Sequence, residues 1–169
     1  AIASVVRAVR EQLPHVFVVD DGSADATSER AAAAGAEVIR QPANRGKGAA
    51  LRSGLERARA SGFTWALCLD GDGQHAAADI PRFLECAQQT GAPLVVGNRM
   101  DAPAAMPWLR RAVNRWMSRR LSRMAGRELP DTQCGFRLVR LDAWAGIALR
   151  DERFEAESEW LLAFAAAGH

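Results

Sequence analysis

The sequence predicts an α/β fold, Rossmann-like, with a mostly parallel sheet and helices on both faces. Short apolar runs without helical period alternate with segments whose apolar residues recur every three or four positions. Three of those runs also stop at polar or acidic residues: 16–19 before Asp20-Asp21-Gly22-Ser23, 67–69 before Asp70-Gly71-Asp72-Gly73, and 94–96 before Gly97-Asn98-Arg99. In open α/β sheets, ligands sit at that edge of the strands.

The chain has 169 residues, which bounds it to one domain, 1–169, with enough length for a real core. Its 49% hydrophobic and 25% charged residues are those of a globular protein, and no run of 18 apolar residues offers a transmembrane helix. Cys68, Cys86 and Cys134 are odd in number and lack C-x-x-C spacing. A disulfide framework or zinc site is therefore not expected, and a reducing, cytoplasmic setting is. The opening residues run straight into a helical pattern, without the charged and apolar regions of a signal peptide.

Ile2, Val5, Val6, Val9 and Leu13 recur at helical spacing until Pro14, so the first element is a helix. The strand at 16–19 follows. Ser23 or Asp25 can cap the Ala-rich helix after it, and Gly35 ends that helix. Residues 37–40 read as a short strand. A glycine-rich loop, Asn44-Arg45-Gly46-Lys47-Gly48, then opens a helix bearing Ala50, Leu51, Gly54, Leu55 and Ala58 on one face. Strand 64–69 leads to the central acids, and helix 80–89 turns Ile80, Phe83, Leu84 and Ala87 inward. Strand 94–96 ends in Gly97-Asn98-Arg99. Later, Asp131-Thr132-Gln133-Cys134-Gly135-Phe136-Arg137-Leu138-Val139 runs from a polar loop into a strand, and 160–167 is a final apolar helix. Arg153-Phe154-Glu155-Ala156-Glu157-Ser158-Glu159 packs acids ahead of that helix, as the helix dipole favours.

Asp70 and Asp72 are the centre of this pattern. On an extended strand residues two apart share a face, so both carboxylates can address one ion. Two hard oxygen donors suit Mg²⁺ or Mn²⁺ held jointly with substrate phosphates. An EF-hand loop is excluded, since His75 and Pro81 stand where it needs Gly and Glu. A D-x-D-x-T phosphatase is disfavoured by Gln74. The competing reading is a polar turn in which one acid caps a helix.

Residues 107–127 change character. Trp108, Leu109, Ala112, Val113, Trp116, Met117, Leu121 and Met124 form an apolar stripe, and seven arginines (110, 111, 115, 119, 120, 123 and 127) precede the next acid, Glu128. Such a basic amphipathic helix can lie on an anionic membrane surface, or pack on the domain with a solvated basic face. Nucleic acid is not expected, because the charge is confined to this helix. His75, Trp65, Trp144 and Trp160 read as packing or edge residues.

Together, Val18-Val19-Asp20-Asp21-Gly22-Ser23, Asn44-Arg45-Gly46-Lys47-Gly48, Asp70-Gly71-Asp72-Gly73-Gln74-His75, Gly97-Asn98-Arg99 and Asp131-Thr132-Gln133-Cys134-Gly135-Phe136-Arg137 resemble the family 2 glycosyltransferases, and among them the dolichyl- or polyprenyl-phosphate sugar transferases. The resemblance implies a GT-A fold and metal-dependent, inverting transfer of a sugar from a UDP- or GDP-linked donor. It implies Asp20, Asp21 and Ser23 at the base and ribose, and Arg45 and Lys47 near the nucleotide. Asp70 and Asp72 would hold Mg²⁺ or Mn²⁺ and the diphosphate, with Gln74 beside them. Arg99 and Arg137 match the basic positions expected near phosphate. The family's first strand, bearing I-P-x-Y-N-E, is expected ahead of the opening helix, and a further strand after the last one. Neither lies within this stretch.

A hydroxyl acceptor needs a general base, for which Asp131 is the candidate, with Glu155 and Glu157 behind it. A lipid phosphate acceptor is already anionic, and Asp131 would then position the acceptor or the groups around it. The basic helix favours the lipid. The alternatives are a transferase acting on a glycan hydroxyl, or a domain that binds nucleotide or a partner without catalysis. The expected setting is cytoplasmic, with peripheral contact at the membrane's cytoplasmic face.

Overall fold

The computed structural model describes residues 1–100, 108–126, 128–147 and 156–168. Helix α1 (Ile2–Arg10) opens the chain, and strand β1 (Phe17–Asp20) leads to α2 (Thr27–Ala33) and β2 (Glu37–Arg40). Helix α3 (Lys47–Ala60) precedes β3 (Trp65–Cys68). A 3₁₀ turn (Ala77–Asp79) then enters α4 (Ile80–Thr90), followed by β4 (Leu94–Val96). The last elements are α5 (Trp108–Ala125), β5 (Arg137–Arg140), α6 (Leu141–Ala145) and α7 (Ala156–Ala166). The α/β alternation is as the sequence predicts, with α6 as an unforeseen addition. Glu155 lies outside the described residues, as do Pro107 and Arg127 at the ends of the basic segment.

β1 and β2 pair in parallel, Phe17 opposite Glu37. The second sheet has the order β3-β5-β4, and β5 runs antiparallel to both neighbours. Hydrophobic alternation fixes which faces a strand buries but not its direction, so this reversal was not readable from the pattern. β5 is the central strand, and successive residues feed two cores. Leu138 packs with Val9, Ile80 and Phe83 on one side, and Val139 packs with Leu55, Trp144 and Trp160 on the other. In α4, Ile80, Phe83 and Ala87 are buried as predicted. Leu84, predicted inside, is 42% exposed, because it sits at the margin of the buried stripe.

The two sheets do not join among the described strands. Between the facing edges of β1 and β3 lies a cavity of ≈ 540 Å³, walled by Val5 and Val9 of α1 and by Leu51 and Leu55 of α3, with Lys47 and Asp70 at one end. Consecutive residues of both strands line it, as strand edges do. No described helix is long and apolar enough to cross a membrane, and no disulfide joins Cys68, Cys86 and Cys134.

The two positions at issue differ in what truncation removes. Leu138→Ala, in both the sheet and the core, should cost about 2–5 kcal/mol in urea unfolding, and Leu84→Ala about 0.5 kcal/mol or less. Equal costs would contradict the burial of β5.

Candidate active site

The loop after β1 is held by its own acids. Asp20, 2% exposed, accepts hydrogen bonds from the Ser23 amide at 2.8 Å and from the Ser28 hydroxyl. The Ser28 bond is the largest of the effects that hold its carboxyl below the usual range. Asp21 reaches across to the glycine-rich loop, where its two oxygens accept the Arg45 amide at 2.7 Å and the Gly46 amide at 2.8 Å. Directly after these acids Gly22 has φ +76°, and a Cβ there would stand 2.8 Å from the backbone of Ala43 and Asn44. Only glycine lets the two loops approach so closely.

Gly46, with φ +93°, ends that loop and delivers Lys47 at the start of α3. The Lys47 ammonium lies 2.6 Å from Asp70 Oδ1, and His75 Nε2 lies 3.3 Å from Asp70 Oδ2. The His75 contact, followed by Lys47, holds Asp70 well below the usual carboxylate range against the opposing effect of burial. β3 has ended at Cys68, so Asp70 and Asp72 stand in a turn rather than on an extended strand, which corrects the shared-face geometry predicted above. Asp72 is exposed, with Oδ1 accepting the Gln74 amide at 2.9 Å; the Gln74 side chain is exposed beside it.

The second centre belongs to Asp131. Its side chain has no exposure. It accepts Arg99 Nε at 2.9 Å and Arg99 Nη2 at 3.1 Å on separate oxygens, the Arg99 amide at 3.1 Å, Asn114 Nδ2 at 2.9 Å and the Gln133 amide at 3.2 Å. Burial pushes this carboxyl up, but the donors of Arg99 and Asn114 outweigh it and hold the pKa below normal. Such a group is a poor proton acceptor. Arg137 is 1% exposed; it donates to the Cys134 carbonyl at 2.8 Å and the Thr132 carbonyl at 3.1 Å, bracing the loop that carries Asp131. The two centres meet at Gly135, where a Cβ would stand 2.6 Å from Asp70 Oδ2.

Of the residues predicted from sequence, Asp20, Asp21, Ser23, Arg45, Lys47 and Asp70 thus share one network of neighbouring loops. Arg99 and Asp131 form the second, and Arg137 supports it from beneath. The reading of His75 as a packing residue is half the picture: its ring packs 5.1 Å from Phe136, and its Nε2 reaches Asp70. Asn114 and Ser118 were hidden in a helix read for its apolar stripe, although polar residues at 114, 118 and 122 recur every four positions.

Among the described residues no group of three or more His, Cys, Asp and Glu could hold a metal by itself. The donor set fits a cation shared with a ligand. Asp70 and Asp72 are carboxylates whose bonded oxygens each keep a further lone pair, and Gly135 leaves open the space before Asp70 that a side chain would fill. Mg²⁺ or Mn²⁺ bound by two carboxylates and phosphate oxygens has that character.

Acids and cations gather at the strand ends of this α/β domain, and solved structures of GT-A glycosyltransferases share its fold. The chain superposes on glucosyl-3-phosphoglycerate synthase of Mycobacterium tuberculosis, in complex with Mn²⁺, uridine diphosphate and glucosyl-3-phosphoglycerate, with a TM-score of 0.68 at 22% identity, over 93% of this chain and 57% of that one. Residues 1–145 match the model for glycosyl transferase family 2, and the chain belongs to that family. It is 33% identical over 161 residues to glycosyltransferase AglJ of Haloferax volcanii, covering 94% of this chain and 52% of AglJ. It is 31% identical over 129 residues to the UDP-N-acetylglucosamine–dolichyl-phosphate N-acetylglucosaminyltransferase of Methanococcus voltae, covering 73% of this chain and 51% of that protein. The chain spans about half the length of these relatives.

Because the pKa of Asp70 is lower in the folded state than its unfolded value of about 3.9, its ionised form adds stability above that value and loses it as pH falls through the lowered one. Asp70→Asn should therefore lose less stability than the parent between about pH 5 and pH 2 in urea unfolding at stepped pH. Parallel acid limbs would show that the contacts to His75 and Lys47 contribute nothing.

Proposed function

We propose that this chain carries the donor site and acceptor-facing cation of an inverting glycosyltransferase, moving a sugar from a nucleoside diphosphate sugar to a polyprenyl phosphate or other membrane lipid. The observation that carries the acceptor reading is the state of Asp131. Buried and clamped on Arg99 through both oxygens, it serves as an anchor for a guanidinium and not as a base. A hydroxyl acceptor would need a base, whereas a phosphate needs a cation. The name of the Methanococcus voltae relative supports the same acceptor class.

In the reaction an acceptor phosphate oxygen attacks the anomeric carbon from the face opposite the diphosphate. The anomeric C–O bond breaks with its electron pair, and the nucleoside diphosphate leaves. No proton has to be taken from the acceptor. Lys47 and Arg45 supply positive charge near the leaving group, and Arg99 meets the acceptor phosphate. Asp20, Asp21 and Ser23 serve the nucleoside end, where Asp20 shapes the turn and Asp21 fixes the Arg45–Gly46 backbone. Gln74 lies beside the diphosphate, and Arg137 acts through the loop it braces. Mg²⁺ or Mn²⁺ bound by Asp70 and Asp72 would neutralise charge on the diphosphate, a reading supported by the Mn²⁺ complex of the mycobacterial structure.

We assign the cavity between β1 and β3 to the family's first strand, supported by its lining of two strand edges and two helices. The arginines and tryptophans of α5 suit peripheral contact with an acidic membrane.

Calorimetric titration with UDP and GDP, each with and without Mn²⁺, should give metal-dependent binding of one nucleotide, lost in Asp72→Asn. Binding of neither, by this chain or by one extended ahead of Ala1, would overturn the donor site. For the acceptor, Asp131→Asn should lower transfer to polyprenyl phosphate by roughly 10–100-fold, the range for loss of an orienting partner. A fall to background, matched with a hydroxyl acceptor, would make Asp131 the base instead.

A further inference from the structure

Helix α5 turns most of its apolar stripe outward, the first of the two arrangements its sequence allows. Trp108 (80% exposed), Leu109, Val113, Trp116 (58% exposed) and Met124 face outward, while Asn114 and Ser118 are buried with Leu121. Positions 109, 113, 116, 120 and 124 share one side of a helix, and 114, 118, 121 and 125 share the opposite side. The outward side carries exposed Arg120 and Arg123, flanked by Arg115 and Arg119. The Arg120 guanidinium lies 5.7 Å from the Trp116 ring. Apolar side chains mixed with arginines match an acidic bilayer surface.

On the inward side three polar residues are spent on one loop. Asn114 Nδ2 donates to Asp131 Oδ1 at 2.9 Å, Ser118 Oγ accepts the Thr132 amide at 3.1 Å, and Ser122 Oγ accepts the Leu129 amide at 2.9 Å. Asn114 Oδ1 is buried with no partner among the described residues. A leucine there would avoid that unmet acceptor, so what the asparagine contributes is its Nδ2 donor, which reaches Asp131 and also lies 3.6 Å from Met100 Sδ. Asp131 in turn holds Arg99 at two nitrogens.

We infer that α5 couples membrane docking to the alignment of Arg99, and that Asn114 is the positioning residue that transmits it. Its outer face seats on acidic lipid, its inner face sets Asp131, and Asp131 aims the Arg99 guanidinium. This rests on the lipid-phosphate reading above, which makes Arg99 the group that must be aimed.

Two readouts separate the claims: the NMR signal of Arg99 Nε–H with nanodiscs of phosphatidylglycerol or of phosphatidylcholine, and transfer to polyprenyl phosphate in the same nanodiscs. The expected result is that phosphatidylglycerol, and not phosphatidylcholine, shifts the Arg99 signal and raises kcat. Asn114→Leu should still bind phosphatidylglycerol nanodiscs but lose the shift and at least tenfold in kcat, with the donor KM unchanged and partial recovery in Asn114→Gln. Trp116→Glu, an exposed change that leaves the core intact, should lose both nanodisc binding and the shift. An Arg99 signal indifferent to phosphatidylglycerol while the protein is bound would overturn the coupling, as would a wild-type response in Asn114→Leu. A signal that responds without any transfer would leave the coupling standing and overturn the acceptor reading.

Discussion

The arrangement depends on a carboxylate that water does not reach. Asp131 gathers donors from the end of β4, from the middle of α5 and from its own loop, so three segments distant in sequence share one negative charge. A buried ion pair is weak as a source of stability, since desolvation offsets much of the attraction, but its loss on one side is costly. That asymmetry makes it a device for geometry. Arg99 cannot leave without stranding Asp131, and α5 cannot rotate without withdrawing Asn114.

The first centre obeys the same logic with more access to water. Asp70 is shared between the Lys47 ammonium and the His75 ring, so its charge is fixed in place before any ligand arrives. The backbone of Gly135 passes against it, and the loop from Asp131 to Phe136 therefore spans both centres before it becomes β5. Inserting β5 antiparallel between β3 and β4 is what brings that loop to the strand ends. A parallel β5 would start from the opposite edge of the sheet.

The residue types at the strand ends made much of the site legible in the sequence, and apolar runs located all five described strands. What failed did so for identifiable reasons. Alternation carries no strand direction, so the reversal of β5 was hidden. The stripe of α4 was read one residue too wide at Leu84. In α5 the apolar stripe was visible, but which stripe faces the domain depends on what the domain offers. Here it offers the polar loop around Asp131, so Asn114 and Ser118 turn inward and Trp116 turns out. The resemblance placed Arg137 near phosphate, and its burial, with bonds to two carbonyls, is a feature that residue type does not carry. His75 has an apolar ring and a polar nitrogen, and the fold uses both.

The gap between β1 and β3 bears on how copies of this chain behave toward one another. An open strand edge recruits other chains, and exposed edges are where soluble proteins begin to aggregate. Here two such edges face each other, with α1 and α3 closing the slot above and below. Once the first strand proposed above fills it, both edges are paired and neither is left as a template for edge-to-edge growth.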